Sequence, residues 1–391
     1  MRGALKILMV CPRYRPFTGG TETPVHAVGI RMAAAGHAIT ILTGNPGGKL
    51  PPEENADGMH IRRARSWPRS RDWCLAPGLL TATAMARRDG TDVIHVQGYH
   101  TFSAPFAMLG ALRARVPYVV TFHSGGHSSA ARNALRGPQR TLLAPLAAKA
   151  ARLIGVSGFE ADHFSRCMGI ARDRFAVVPN GAELPKPDPG AAPDPEAPLI
   201  VSLGRLERYK GHHRAVAAFA VLRQRLPGAR LRLLGEGPYE AELHALVTAS
   251  GLSDCVEIGA VPSGDRAGMA TMLARSSLVV LLSDYEAHPV AVMEALSLGR
   301  PVVTSDVAGC AELARNGLVR AVPLDAHPEA VADAMAAEIA AGRVGPSASA
   351  IALPDWDACA ERLVALYRDV VRGAPNDAKA SHGLLDVRHA P

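Results

Sequence analysis

Short apolar runs alternate with amphipathic stretches along most of this chain, stop at a segment too rich in proline to enter a core, and then start again. In the first half LKILMVC, AITILT, DVIHVQ, YVVTFH, RLIGVS and FAVVPN are continuous apolar runs, as expected of parallel strands buried on both faces. Between them lie helical patterns such as TPVHAVGIRMAAAG and APFAMLGALRARV, each ending near Gly or Pro. The second half repeats the scheme with LIVSLG, ARLRLLG, VEIGAV, SLVVLLS and PVVTS, separated by helical runs such as HHRAVAAFAVLRQRLPG. Strand, helix, strand, repeated twice over, predicts two doubly wound α/β domains in tandem.

The break is AELPKPDPGAAPDPEAP, with six prolines in seventeen residues. Such a segment is a linker. The expected organisation is therefore a first domain over 1–181, a Pro-rich linker over 182–198 and a second domain over 199–355. An amphipathic helix over 356–372 follows (WDACAERLVALYRDVVR), then a polar, disordered tail over 373–391. A length of 391 residues, 48% apolar and 20% charged, suits two globular cores. The six cysteines show no CxxC or metal-like spacing and read as reduced thiols. LKILMVC is too short for a signal core or a membrane span.

Charge is unevenly placed. Residues 1–180 hold 23 Lys and Arg against 10 Asp and Glu, a net of +13, whereas 181–391 hold 20 against 26, a net of −6. A basic first half favours an anionic partner, such as a phosphorylated acceptor or an anionic membrane surface. An arginine-rich coding bias would leave the same trace. Nucleic acid is not expected, because the basic residues lack interleaved aromatics.

In doubly wound sheets ligands bind beyond the carboxyl ends of the strands, so the residues after each strand matter most. After the first strand, Gly19 and Gly20 open a turn before a helix expected near Thr21, where backbone amides can approach an anion. An ordinary turn would read the same way. The segment is not GxGxxG, and no acidic residue ends the second strand, which argues against a dinucleotide fold. His123 follows YVVTF beside SGGHSS, a placement suited to a site, while His95 in mid-strand is expected to be core. Arg205 stands just past LIVSLG and Lys210 five residues on, at a helix start. An arginine fork and a lysine point charge there suit a diphosphate, and a solvated pair is the plainer alternative.

DYEAHPVAVMEALSLGRPVV sets Glu286 and Glu294 eight positions apart in a nearly all-apolar run. A helix reading VAVMEALSL should be buried. Glu294 is then neutral, paired or held for a ligand, since burying a lone carboxylate is unfavourable. Pro289 falls near the first helical turn, where its missing N–H costs nothing, and amides near Val290 and Ala291 can face a phosphate. A nucleotide-sugar, with hydroxyls on either side of a diphosphate, would use both carboxylates. The alternative pairs Glu294 with a structural cation and leaves Glu286 exposed.

With these residues in view, the chain resembles the retaining glycosyltransferases of family 4 over about residues 5–370. The match rests on the E-x7-E element EAHPVAVME with ALSLGRPVV after it, and on SLGRLERYKG, GGTE, TFHSGG and VPNGAE. The resemblance implies an α/β GT-B fold, two doubly wound Rossmann-like domains facing a central cleft. The first would bind acceptor, the second donor, and the last helix would cross back to the first. It implies a hexosyltransferase-type enzyme (EC 2.4) that moves a sugar from a nucleoside-diphosphate-sugar to an acceptor hydroxyl with retention. The product would be a glycolipid, a polysaccharide or a natural-product glycoside. His123, Glu286, Arg205 and Lys210 would form the catalytic set. Donor contacts would come from Gly19, Gly20, Arg205, Lys210, Val261 at the base, Glu286, Ala287, His288, Pro289, Val290, and Glu294 at the ribose.

The run Ala287-His288-Pro289 replaces the small, glycine-containing run common in the family and bears on donor identity. Cations and helix dipoles would stabilise the leaving diphosphate, with no metal and no cofactor. The acceptor is expected to be a small molecule or lipid-linked, and anionic. The protein is expected in the cytoplasm, open to peripheral contact with an anionic membrane through its basic domain. Two other readings stand beside this one: a sugar-nucleotide epimerase of the same fold, and a catalytically silent sugar-nucleotide binder.

Overall fold

The computed structural model describes residues 3–17, 19–68, 74–124, 130–262, 264–342 and 353–373, with side chains of 130–133 left aside. The glycine-rich loop after His123 and the tail beyond 373 lie outside these. The chain forms two compact units: one from residues within 1–124, 131–181 and 354–382, the other from residues within 182–353.

The first unit runs β1 (Lys6–Cys11), α1 (Glu22–Ala34), β2 (Ala38–Pro46), β3 (Glu53–Ala56), β4 (Met59–Ser66), α2 (Gly78–Ala84) and β5 (Val93–Gln97). It continues with α3 (Ser103–Ala114), β6 (Tyr118–Thr121), α4 (Ala130–Ala147), β7 (Arg152–Gly155), α5 (Gly158–Met168) and β8 (Phe175–Val177). Its eight strands lie in the order β3-β4-β2-β1-β5-β6-β7-β8, parallel except for β3 against β4. Branched and aromatic side chains fill the interior: Ile7, Met9 and Val10 are buried, and Phe122 stacks on Phe164 with centroids 4.0 Å apart.

The second unit runs β9 (Leu199–Leu203), α6 (His212–Arg225), β10 (Arg230–Leu234), α7 (Glu240–Ala249), β11 (Val256–Gly259), α8 (Arg266–Arg275) and β12 (Leu278–Leu281). Then come α9 (Val290–Ser297), β13 (Val302–Ser305), α10 (Ala308–Arg315), β14 (Arg320–Val322) and α11 (Pro328–Ala340). The six strands are all parallel, ordered β11-β10-β9-β12-β13-β14. In both sheets the strand order reverses beside the first strand, where doubly wound sheets bind ligands. Residues 182–198 hold no helix or strand, although Ala182 and Leu184 pack on the apolar cluster of this unit.

The last helix, α12 (Trp356–Arg372), belongs to the first unit. It packs against α1 and β5. Arg31 Nε donates to Asp357 Oδ1 at 2.7 Å, and Tyr367 is wholly buried. Three elements carry no apolar run that the sequence could show. The hairpin β3–β4 is written EENA and MHIRRARS, and Arg63 is buried there by donating to the Pro51 and Arg15 carbonyls. The edge strand β14 is only three residues long.

Candidate functional site

In the second unit the loops after β9 and β12 meet. Asp284 N–H donates to the Tyr209 carbonyl at 2.8 Å, which fixes one loop on the other. Lys210 closes a short 3₁₀ turn, Arg208–Lys210, just ahead of α6. Its Nζ donates to Glu286 Oε1 at 2.6 Å, and Ser283 Oγ donates to the same oxygen at 2.8 Å. Burial alone would pull Lys210 down, but the charge of Glu286 and the hydrogen bond to it, with a smaller contribution from Tyr209, outweigh it and hold the ammonium above its usual range. The alternative of an exposed Glu286 fails, for Glu286 is 8% exposed. Arg205 stands just past β9, half out in solvent, with Glu207 Oε1 2.9 Å away.

Glu286 is held in place by its backbone as well. Gly309, in the first turn of α10, donates its N–H to the Glu286 carbonyl at 2.8 Å. A Cβ at Gly309 would sit 1.8 Å from the Ala287 carbonyl oxygen, so only glycine permits this approach. Pro289 is the N-cap of α9, one place earlier than a first-turn position, and its carbonyl accepts from Val292 and Met293 N–H. The amides of Val290 and Ala291 therefore precede the first intrahelical bond. Ala287 and His288 are buried, and burial pulls His288 down to about 4, so it is neutral at ordinary pH.

Glu294 answers the question its sequence setting posed: it is buried and paired. Arg266, at the start of α8, donates Nη2 to Glu294 Oε1 and to the Glu183 carbonyl, the latter at 3.1 Å. Burial raises the Glu294 carboxyl, and Arg266 opposes the shift. Val261, in the loop between β11 and α8, packs on the same apolar cluster as Val292 and Met293 of α9. The arrangement gathers two carboxylates and three cations (Arg205, Lys210, Arg266) around strand ends and one helix N-terminus.

The first unit holds a separate group of residues of its own. α1 begins at Glu22, whose buried carboxylate lies against the Gly19 position and 3.5 Å from Arg13 Nε. A Cβ at Gly19 would meet Glu22 Oε2 at 2.6 Å, whereas one at Gly20 would meet nothing within 4 Å. His123, two residues beyond β6, takes a left-handed conformation, φ 45°. It borders a cavity of about 20 Å³ also lined by Pro24, Gln97, Thr121, Asn180 and Cys359. Burial, reinforced by His100, pulls His123 down to about 3.

Sequence reasoning missed Gln97, Arg266 and Glu160. Glu160 is wholly buried and accepts from Ser124 N–H at 2.7 Å and Val156 N–H at 2.8 Å, fixing the residue after His123. Its signal was legible: Ser157-x-x-Glu160 is a capping box, and Ser157 Oγ does accept from Glu160 N–H. Arg266 offered none, for nothing in DRAGM marks a partner for a carboxylate 28 positions later.

The model of glycosyltransferase family 4 matches residues 18–185, and that of glycosyl transferases group 1 matches residues 188–340. The chain belongs to the family 4 glycosyltransferases. Among its relatives is the glycogen synthase of Mycobacterium tuberculosis, 28% identical over 344 residues, covering 80% of this chain and 81% of that protein. Another is the GDP-mannose:cellobiosyl-diphosphopolyprenol alpha-mannosyltransferase of Xanthomonas oryzae pv. oryzae, 27% identical over 78% of this chain and 79% of that one. The fold matches the sucrose-phosphate synthase of Thermosynechococcus elongatus with a TM-score of 0.77 at 21% identity, over 95% of this chain and 100% of that one. As a family 4 glycosyltransferase the chain is a sugar-transferring enzyme with the GT-B fold. Among the described residues no helix is long and apolar enough to cross a membrane.

Proposed function

We propose that this glycosyltransferase moves a hexose from a nucleoside-diphosphate-sugar to an acceptor hydroxyl with retention of anomeric configuration. The observation that carries the reading is the Lys210–Glu286–Ser283 cluster beside the N-terminus of α9, with Glu294 buried one turn further along that helix. Bond breaking leaves negative charge on the diphosphate. Lys210, held protonated, Arg205 and the free first-turn amides of α9 would stabilise it without reorganisation. Glu286 would accept from hydroxyls of the donor sugar, and Glu294 from the ribose diol, taking over acceptor capacity that Arg266 now uses. The base would lie along the backbone near Val261.

His123, neutral at ordinary pH, would hydrogen-bond the transferred sugar instead of exchanging a full charge. Glu286 and Glu294 lie on one loop-helix segment, unlike the opposed carboxylate pair of a glycosidase. The departing phosphate is then the base that takes the acceptor proton from the same face, which gives retention. This scheme asks for no metal and no cofactor.

The acceptor side is read from charge and surface. The first half of the chain carries +13, and α4 shows solvent an apolar stripe of Leu135, Pro138, Leu142 and Pro145, with Leu142 77% exposed. These features favour an anionic, lipid-linked acceptor met at a membrane surface. All six cysteines are free thiols, as suits a cytoplasmic enzyme.

The test is thermal stability against UDP, GDP, dTDP and ADP, with and without magnesium, on wild type and Glu294→Ala. A ligand at 100 times its dissociation constant adds about 2.7 kcal/mol to stability. The reading expects one nucleotide to raise the midpoint without magnesium and to lose its effect in the variant. No shift with any nucleotide in the wild type would sink it.

A further inference from the structure

His95 and Gln97 project from the same face of β5, and Gln97 pairs with Thr121 of β6. The His95 ring is engaged at both edges. Tyr367 Oη lies 2.5 Å from Nδ1, and Thr121 Oγ1 lies 2.7 Å from Nε2. Gln97 Nε2 stands 3.1 Å from one ring nitrogen and 3.2 Å from the other. Equal distances to two nitrogens whose in-plane positions are taken put the amide over the ring face. An N–H is attracted there and a carbonyl oxygen repelled, so the amide orientation is set. Gln97 Oε1 is thereby turned to His123 Nε2, at 2.7 Å. An amide oxygen can only accept, so His123 carries its proton on Nε2 and its lone pair on Nδ1.

We propose that Gln97 is the positioning residue for His123: it fixes the Nε2–H tautomer and presents the Nδ1 lone pair to a hydroxyl of the transferred sugar, with His95 and Tyr367 holding Gln97 in register. The sugar contact rests on the sugar-transfer reading above; the tautomer does not. The arrangement also accounts for polar residues in an otherwise apolar strand. His95, Gln97 and Tyr367 are 1%, 3% and 0% exposed, and each finds its partner within the same chain of hydrogen bonds. His123 also holds a left-handed backbone, φ 45°, a strained conformation of the kind that persists where the surroundings over-determine a residue. Charged and titratable groups around His123 are His95 from β5, His100 from the loop after β5, Cys359 of α12 on the same cavity, and Glu160 of α5 by way of Ser124.

The experiment is histidine ¹⁵N NMR on the unliganded full chain, with steady-state kinetics alongside, for wild type, Gln97→Met and Gln97→Glu. In the wild type the His123 signals should show a protonated Nε2 and a bare Nδ1 from pH 8 to pH 6. Gln97→Met should give a mixed or Nδ1–H ring, with kcat down about tenfold and donor KM within about twofold. Gln97→Glu keeps the acceptor and the tautomer, but its charge favours the imidazolium. The acid limb of kcat should then move upward by about one pH unit or more.

An Nδ1–H ring in the wild type overturns the proposal, as does a Gln97→Met ring and kcat that match wild type. Loss of folding in Gln97→Met leaves Gln97→Glu to decide, an unmoved acid limb counting against the proposal. A correct tautomer in a protein that turns over no nucleotide-sugar keeps Gln97 as the orienting residue and removes the sugar contact.

Discussion

Lys210 donates to Glu286 across 2.6 Å, tying the loop after β9 to the loop after β12. Both side chains are largely buried, so neither ion is replaceable without a consequence for the other. Lys210→Met should lower stability by about 3 kcal/mol, because Glu286 keeps its burial and loses its cation. Sugar transfer should fall at least about a hundredfold, through loss of charge stabilisation on the leaving diphosphate. Adding Glu286→Gln should restore most of the melting temperature and none of the rate. Recovery of rate in the double variant would mean the pair is only structural.

Arg266 competes with the proposed ribose for Glu294. Arg266→Met should destabilise the unliganded chain by about 1–3 kcal/mol, since Glu294 stays buried with one partner fewer. The nucleotide-induced rise in melting temperature should then be larger than in wild type, the ribose diol relieving what the missing guanidinium left. An equal or smaller rise would place the ribose away from Glu294.

Gly309 and Gly20 should respond oppositely. Gly309→Ala drives a Cβ into the Ala287 carbonyl and should cost about 1–3 kcal/mol in denaturant melts while displacing Glu286. Gly20 has open space around it and no positive φ, so Gly20→Ala should leave stability within about 0.5 kcal/mol. Any rise in donor KM in that variant would then report the ligand's approach to this turn and nothing else.

Acid should destabilise the fold early. His95 and His123 are held near about 3, and His212 and His288 near about 4, against about 6.5 unfolded. Each is neutral when folded, so the unfolded chain binds more protons below that value. Stability is therefore full above about pH 6.5 and is lost as pH falls toward 4. The raised carboxyls of Glu160 and Glu294 act in the opposite sense, fewer in number. Melting temperatures measured from pH 8 to pH 5 should fall, and a rise would mean the carboxyls dominate.

The apolar stripe of α4 should bind lipid. Wild type should sediment with anionic vesicles at low salt and not with zwitterionic ones, and Leu135→Glu/Leu142→Glu should stay in solution. Unchanged sedimentation of the double variant would move the contact elsewhere, and a dimer that the variant dissolves would make α4 an interface between copies.

What the sequence disclosed followed from periodicity. Buried parallel strands announce themselves as unbroken apolar runs, and the proline segment between the two sets is unmistakable, so the two tandem α/β domains were legible; the family was legible only through its motifs, EAHPVAVME and SLGRLERYKG above all. The clustering of charge after β9 and β12 was legible too, because ligand sites in such sheets sit at strand ends. Partners were not. Whether Glu294 meets Arg266 or Glu286 meets Lys210 depends on loop paths that no spacing encodes. Gln97 hid for another reason: a glutamine in a strand reads as ordinary until a histidine from the loop after the next strand is found facing it.

The placement of α12 bears on how the protein is made. Tyr367 lies fully buried against His95, and the first unit takes its last helix from beyond residue 353. During synthesis the second unit has its whole sequence outside the ribosome before the first does. The N-terminal sheet, begun first, is finished last, and until α12 emerges His95 and its neighbours face water. A chain stopped before residue 356 would lack that cover, and its nascent N-terminal half is the part of this enzyme that chaperones would have most reason to hold.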